Sequence, residues 1–122
     1  INNTVIDNRA GWAKFLHTTN GPIWYRGYFA AERNKASRTK SASAKDDGAT
    51  SAEIDLLLKH FDVKHLIVGH TSQKQIESRY QGRVIAIDSS IKEGNYGEIL
   101  FIEQGKKWRG SLSGKVLPLY YQ

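Results

Sequence analysis

The chain has 122 residues, 39% of them hydrophobic and 11% aromatic, which is enough to build one domain with a modest core. It contains no cysteine, so disulfide bonds and thiolate metal sites are excluded, and any metal must bind to histidine, carboxylate, amide or water. The net charge of +6 suits phosphate-bearing partners without requiring them, and no apolar run approaches the roughly 20 residues of a membrane span.

The sequence contains no methionine and begins Ile1-Asn2-Asn3, whereas translation starts with methionine. We therefore expect the chain to be processed or to be a piece of a longer protein. An N-terminal signal could be missing for the same reason, so the sequence leaves the compartment open while favouring the cytoplasm.

Two elements are predicted before residue 33. The stretch RAGWAKFL is typical of a short helix, because its large apolar residues share one face at i, i+3, i+4 spacing: Trp12, Phe15 and Leu16. The stretch NGPIWYRGYF opens with turn chemistry at residues 20–22 and continues as a dense aromatic segment. Gly27 interrupts that segment, where we expect a close backbone approach.

Residues 33–50 contain no large apolar side chain. Ordering such a stretch would bury nothing that offsets the loss of backbone entropy, so we predict a flexible loop or linker. Its basic residues favour a solvated surface, although they would also suit a polyanionic partner.

A helix is predicted next, followed by a strand. Thr50 and Glu53 have the spacing of a capping box, and an apolar stripe follows at helical spacing: Ile54, Leu57, Leu58 and Phe61. The run HLIV at residues 65–68 is apolar at consecutive positions, which is typical of a strand buried on both faces. A helix leading into a buried strand favours an α/β fold.

The C-terminal half is predicted to be rich in strands. RVIAID follows a turn at Gln81-Gly82, and GEILFIE ends at a hairpin turn, Gln104-Gly105-Lys106, that leads into KWRGSL. KVLPLY is expected to add an edge segment, because Pro118 is tolerated only at an edge or an irregular position.

The stretch LIVGHTSQ places His70 where a predicted strand ends. Ligands of α/β sheets gather at the carboxyl ends of strands, and Gly69 removes side-chain bulk where the loop must turn. A neutral imidazole there can bind a metal through one nitrogen. Taken alone, however, a strand-end histidine is more often structural or solvated.

Three stretches together resemble a known family. HLIVGHTSQ, GRVIAIDSS and YGEILFI, with NGPIWYRG upstream, resemble the C-terminal part of calcineurin-like metallophosphoesterases, in the phosphoprotein-phosphatase branch of the Shewanella-like phosphatases. The resemblance covers about residues 20–30 and 51–119. It implies a sandwich of two mixed β-sheets flanked by helices, to which this chain would contribute a strand-rich part.

The resemblance also implies an activity. Enzymes of this family hydrolyse phosphate esters at a centre of two divalent metals, such as manganese, iron or zinc, which activate a water molecule. His70 corresponds to the histidine of the family's Gly-His-Thr motif and would bind one metal. The implied substrate is a phosphorylated protein or small molecule.

Two further residues are candidates for the site. Arg26 could bind the substrate phosphate, since a guanidinium matches phosphate oxygens, but an arginine lying over Trp24 or Tyr25 is an equal alternative. Asp88, at the end of a predicted strand, is expected to orient the His70 loop through hydrogen bonds rather than to bind metal directly.

The family's other metal-binding motifs, Asp-x-His, Gly-Asp-x-x-Asp and Gly-Asn-His, are absent from this sequence. Tyr96 stands where the Gly-Asn-His motif would have its histidine, and DDG lacks the second aspartate of Gly-Asp-x-x-Asp. The family also has a further metal-binding histidine, to which His17 is a poor match. His60 and His65 are interpreted as helix-end and strand-start residues. We therefore expect residues 1–122 to be the C-terminal portion of one metallophosphoesterase domain, inactive in isolation. A missing N-terminal portion or a second copy would cover its exposed sheet.

The alternative is a non-enzymatic, basic binding module for phosphate-rich or nucleic-acid partners, although a nucleic-acid partner is the less favoured of these. It draws on the net charge, the aromatic and basic stretch WYRGYF and five basic residues of the loop: Arg33, Lys35, Arg38, Lys40 and Lys45. Such a module would show steep salt dependence, because binding would release counterions from the polyanion.

Overall fold

The computed structural model describes residues 11–30 and 48–119. The chain divides into two compact units, residues 1–49 and 50–122, which are described separately. Within the described residues, the fold is α/β with few helices and two small three-stranded sheets. No helix in those ranges is both long enough and apolar enough to cross a membrane.

The first unit contains helix α1, Trp12–Leu16, and a short 3-10 helix, Gly27–Phe29. The prediction of α1 is confirmed, but its apolar face is exposed, with Trp12 81% accessible. The close approach expected at Gly27 is also confirmed, because a Cβ there would collide with the Tyr25 hydroxyl group.

The predicted linker at 33–50 falls mostly outside the described residues, and so do its five basic residues and DDG's two aspartates. Within its described end, the Ala49 N–H donates to the Gly27 carbonyl at 3.2 Å.

Helix α2, Ser51–His60, begins the second unit and confirms the predicted capping box. The Thr50 hydroxyl accepts from the Glu53 N–H at 3.2 Å, and the Glu53 carboxylate accepts from the Thr50 N–H at 2.7 Å. Ile54 and Leu58 are buried as expected. Phe61 is not, because the helix ends at His60 and leaves this ring 63% exposed.

The first sheet has the strand order β1-β3-β2, with β1 at Leu66–Val68, β2 at Glu77–Arg79 and β3 at Val84–Ala86. β1 runs parallel to β3, and β2 runs antiparallel to it. The prediction that β1 is buried on both faces is wrong. It pairs on one side only among the described strands, and Ile67 is 47% exposed, whereas β3 lies in the middle and is buried throughout.

The second sheet has the order β4-β5-β6, with β4 at Glu98–Glu103, β5 at Lys106–Ser111 and β6 at Val116–Pro118. The predicted hairpin is confirmed, since Gln104 and Gly105 both have the positive φ that a tight two-residue turn requires (48° and 78°). Pro118 lies on β6, an edge strand of this sheet, as expected.

The two sheets of the second unit share a small apolar core. Ile76, Ile85 and Leu119 form a buried cluster, against which Leu100 of β4 packs. The alternate side chains of β4 point the other way, so Ile99 and Phe101 are 62% and 43% exposed. Within the second unit, this sheet therefore has one face on the core and one apolar face that is largely exposed.

The sheet register provides a matched pair for testing burial. Ile85 and Ile67 are direct partners on β3 and β1, but the first is fully buried and the second is 47% exposed. Replacing Ile85 with alanine should lower the free energy of unfolding by about 2 to 5 kcal/mol through lost burial and the cavity that remains. Urea denaturation measures the change. The Ile67→Ala control should lose less than half as much, and equal losses would contradict the assigned positions.

Candidate active site

His70 lies directly after β1 in an unusual backbone conformation. Its φ is +66°, and the Thr71 N–H donates to the Gly69 carbonyl at 2.8 Å, which closes a three-residue turn around the histidine. Residues other than glycine adopt such φ values only in a minority of cases, and five other described residues of this chain do so too: Asp62, Tyr80, Gln81, Ser90 and Gln104. His70 is exposed and lies just beyond the carboxyl end of the strand.

The tight turn does not depend on the preceding glycine in the way that the sequence implied. A Cβ on Gly69 would meet only the Ile87 side chain, at an ordinary contact distance of 3.9 Å. Its backbone is also not in the left-handed region. The conformational strain is therefore located at His70 itself.

Asp88 connects the His70 loop to the end of β3. Its carboxylate accepts from the Ser72 hydroxyl at 3.2 Å and from the Ser90 N–H at 3.0 Å, while its carbonyl accepts from the Gln73 N–H at 2.8 Å. The Ser90 hydroxyl donates back to the Gln73 carbonyl at 2.8 Å. Asp88 thus holds the middle of the loop through hydrogen bonds, and its role in orienting His70 stays a prediction.

The end of the same loop meets a buried ion pair that sequence reasoning missed. The Oε1 atom of Glu98 and the Nη1 atom of Arg109 are 2.6 Å apart, and the side chains of these two residues are 0% and 5% exposed. Glu98 also accepts from the Ile76 N–H at 2.7 Å, and Arg109 donates to the Gln75 side-chain oxygen at 3.0 Å. The only sequence signal was the period of two along β4, which places Glu98 on the same inward face as Leu100.

The environment of Glu98 stabilises its charged form. Burial by itself would raise the pKa of this carboxyl group, but hydrogen bonds from Tyr96, Arg109 and the Ile76 N–H outweigh burial. The result is a Glu98 pKa below the ordinary glutamate value. The pair is therefore charged at neutral pH.

Arg26 belongs to the first unit and lies over an aromatic ring. Its guanidinium carbon is 5.8 Å from the Trp24 ring centre, and its Nη1 donates to the Trp24 carbonyl at 3.3 Å. This is the geometry of the alternative that the sequence left open, a cation stacked on a neighbouring ring. A role for Arg26 in binding phosphate stays a prediction.

The described residues do not form a metal site by themselves. Nowhere within 11–30 and 48–119 do three histidine, aspartate or glutamate side chains gather around a common point. His65 directs Nδ1 at the Gly82 carbonyl, 2.8 Å away, and His60 packs edge-on against Phe61. His70 is exposed and belongs to no such group among the described residues.

Among known proteins, the chain is similar to solved phosphatase structures. No family model and no curated protein matches the chain. The crystal structure of a cold-active protein-tyrosine phosphatase from a psychrophilic Shewanella species matches it with 42% sequence identity and a TM-score of 0.69, over 88% of this chain and 28% of that one. A mutant of a cold-active protein tyrosine phosphatase matches with 40% identity and a TM-score of 0.71, over 91% and 29% of the two chains. The chain therefore resembles part of a phosphatase and spans less than a third of its length.

The positive φ at His70 predicts that glycine is a more stabilising replacement there than alanine, which is the reverse of the order in a helix. His70→Ala keeps the strained left-handed turn, whereas His70→Gly relieves it, so the glycine variant should be more stable than the alanine variant by about 1 kcal/mol. Urea denaturation of both variants measures the difference. At His60, which is helical and exposed, glycine should instead be the less stable replacement. The same order at both positions would contradict the turn.

Glu98 predicts a loss of stability in acid. Its pKa is lower in the folded chain, so its contribution is complete above the unfolded-state pKa and disappears as the pH falls through the folded-state pKa. Thermal midpoints measured from neutral pH down into the acid range should therefore fall less steeply for Glu98→Gln than for the unchanged chain. Glu103→Gln, at the exposed end of β4, is the control and should retain the original slope.

Proposed function

We propose that the chain is the C-terminal part of a calcineurin-like metallophosphoesterase of the phosphoprotein-phosphatase branch, and that it takes part in hydrolysing phosphate esters. The observation that carries the proposal is the 42% identity with a protein-tyrosine phosphatase over 88% of the chain. The position of His70, exposed just beyond the carboxyl end of β1, supports it, because ligands of α/β sheets gather at the carboxyl ends of strands.

His70 would act as the ligand of one of two divalent metals, with manganese, iron and zinc all compatible with an imidazole nitrogen. When bound, such a pair of metals polarises phosphoryl oxygens and makes a water molecule nucleophilic at neutral pH. The role of the chain itself is to hold the imidazole in place. The turn fixes the backbone at His70, and Asp88 fixes the adjoining loop through Ser72 and Gln73.

The rest of the proposed site would lie outside this chain. The matched phosphatase chain is more than three times as long, and the described residues provide no third ligand around His70. We therefore infer that the isolated chain is inactive. The exposed apolar face of β4, with Ile99 and Phe101, would be covered by the rest of the domain or by a second copy, which would complete the proposed sandwich.

The substrate class follows from the same comparison. A neighbour described as a protein-tyrosine phosphatase makes an aryl phosphate ester the first substrate to test. Arg26 remains the candidate for binding the phosphate group, since a guanidinium that stacks on a ring through its face keeps N–H donors at its edge.

A chimera tests the proposal directly. The segment of the Shewanella phosphatase that this chain matches would be replaced by this chain, and hydrolysis of an aryl phosphate measured with manganese added. We expect turnover by the chimera, near-background rates for the isolated chain, and a loss of kcat/KM of at least about 100-fold in the chimera for His70→Ala, because a metal ligand is removed.

The matched control is His60→Ala, an exposed histidine of helix α2, which should leave kcat/KM within about twofold. A folded chimera without turnover would contradict the phosphatase assignment. Turnover that His70→Ala leaves intact would contradict the role of His70.

A further inference from the structure

The loop that begins at His70 is anchored twice before it enters β2. The first anchor is the group of hydrogen bonds between residues 72–73 and residues 88–90. The second is the Glu98–Arg109 pair, in which Glu98 accepts from the Ile76 N–H and Arg109 donates to the Gln75 side-chain oxygen. The two anchors are connected, because the Glu98 N–H donates to the hydroxyl of Ser89 at 2.9 Å.

The burial of this ion pair is difficult to explain by stability alone. Removing two charges from water costs about as much as their attraction returns, and apolar replacements of similar volume are often as stable or more so. What apolar side chains cannot provide is a fixed acceptor for the Ile76 N–H and a fixed donor for Gln75. The distinctive contribution of the pair is therefore a set of hydrogen bonds with fixed directions, which hold residues 75 and 76 of the loop in place.

The His70 turn needs such constraints. A left-handed φ at a non-glycine residue persists only when the surroundings hold it in place. A single hydrogen bond, from the Thr71 N–H to the Gly69 carbonyl, closes the turn. The geometry of the turn therefore depends on where the residues after Thr71 are held. Both anchors lie within six residues of His70 and connect it to the core side of β4 and β5.

We propose that Glu98 and Arg109 are positioning residues for His70, acting through Gln75 and the Ile76 N–H. The inference rests on the proposed function, because it assigns this pair the task of fixing the imidazole that the phosphatase would use. Arg109 additionally donates through Nε to the Pro118 carbonyl at 2.9 Å, so the pair is itself fixed by the edge strand β6.

Amide hydrogen exchange followed by NMR on the 122-residue chain tests the inference without requiring activity. In Glu98→Ala, exchange at Thr71, Gln73 and Ile76 should rise at least about tenfold more than exchange in β3, because charge-assisted hydrogen bonds to the loop are lost. The His70 ring signals should shift as the turn loosens. Glu98→Gln keeps an acceptor for the Ile76 N–H and should restore most of the protection.

Arg83→Met is the matched control, because it removes another ion pair of the same unit, the one with Asp55, that does not contact the loop. It should raise exchange without favouring residues 71–76. If Glu98→Ala does not fold, the double variant Glu98→Leu/Arg109→Met keeps the site apolar and packed, and it should show the same selective loosening. A uniform rise, or a rise that Arg83→Met reproduces in the loop, would overturn the inference.

The chimera separates this inference from the proposed function. Glu98→Ala in an active chimera should lower kcat about tenfold while KM stays within about twofold, since His70 acts on the reaction rather than on substrate binding. Selective loosening in the chain alongside an inactive chimera would refute the phosphatase and leave the anchoring of the loop intact. An active chimera in which Glu98→Ala changes neither exchange nor kcat would refute the positioning role.

Discussion

The second unit of this protein is organised around a carboxylate and a guanidinium that have been removed from water. Once Glu98 and Arg109 are buried, each remaining oxygen and N–H group of the pair needs a partner, because an unsatisfied buried charge is far more costly than an unsatisfied neutral group. Among these partners are residues from separate places in the chain: Tyr96 in the turn before β4, Gln75 and Ile76 before β2, and Pro118 on β6. The requirement for partners therefore joins the two sheets more specifically than their small apolar core can.

The apolar core and the ion pair have complementary tasks. Ile76 takes part in both, since its side chain packs against Ile85 while its N–H donates to Glu98. Burial of the side chain supplies a non-directional driving force, whereas the hydrogen bond fixes the position of the backbone along the sheet. A loop that leaves such a doubly fixed residue can sustain an unfavourable conformation a few residues earlier, which is what the turn at His70 requires.

The sequence predicted those parts of the fold that local chemistry determines. The capping box, the Gln104-Gly105 hairpin and the edge position of Pro118 each depend on a few neighbouring residues, and all three are confirmed. The burial of β1 and the existence of β2 depend on which strands become neighbours in space. The apolar run of β1 therefore predicted more burial than the structure has, and the polar residues of β2, Glu77–Arg79, gave no sign of a strand. His70 was found through a motif. Glu98 and Arg109 were missed because a charge within a strand ordinarily indicates a solvent-facing side chain.

The left-handed backbone at position 70 also restricts which substitutions this position can accept during evolution. Glycine accepts such a φ value without strain, and asparagine, aspartate and histidine accept it more often than most other residues. Among these residues, glycine has no polar side-chain atom, and asparagine and aspartate carry a side-chain oxygen in place of an imidazole nitrogen. A substitution at this position would therefore remove the imidazole nitrogens altogether or put side-chain oxygens in their place, and oxygen is the ligand that harder cations prefer.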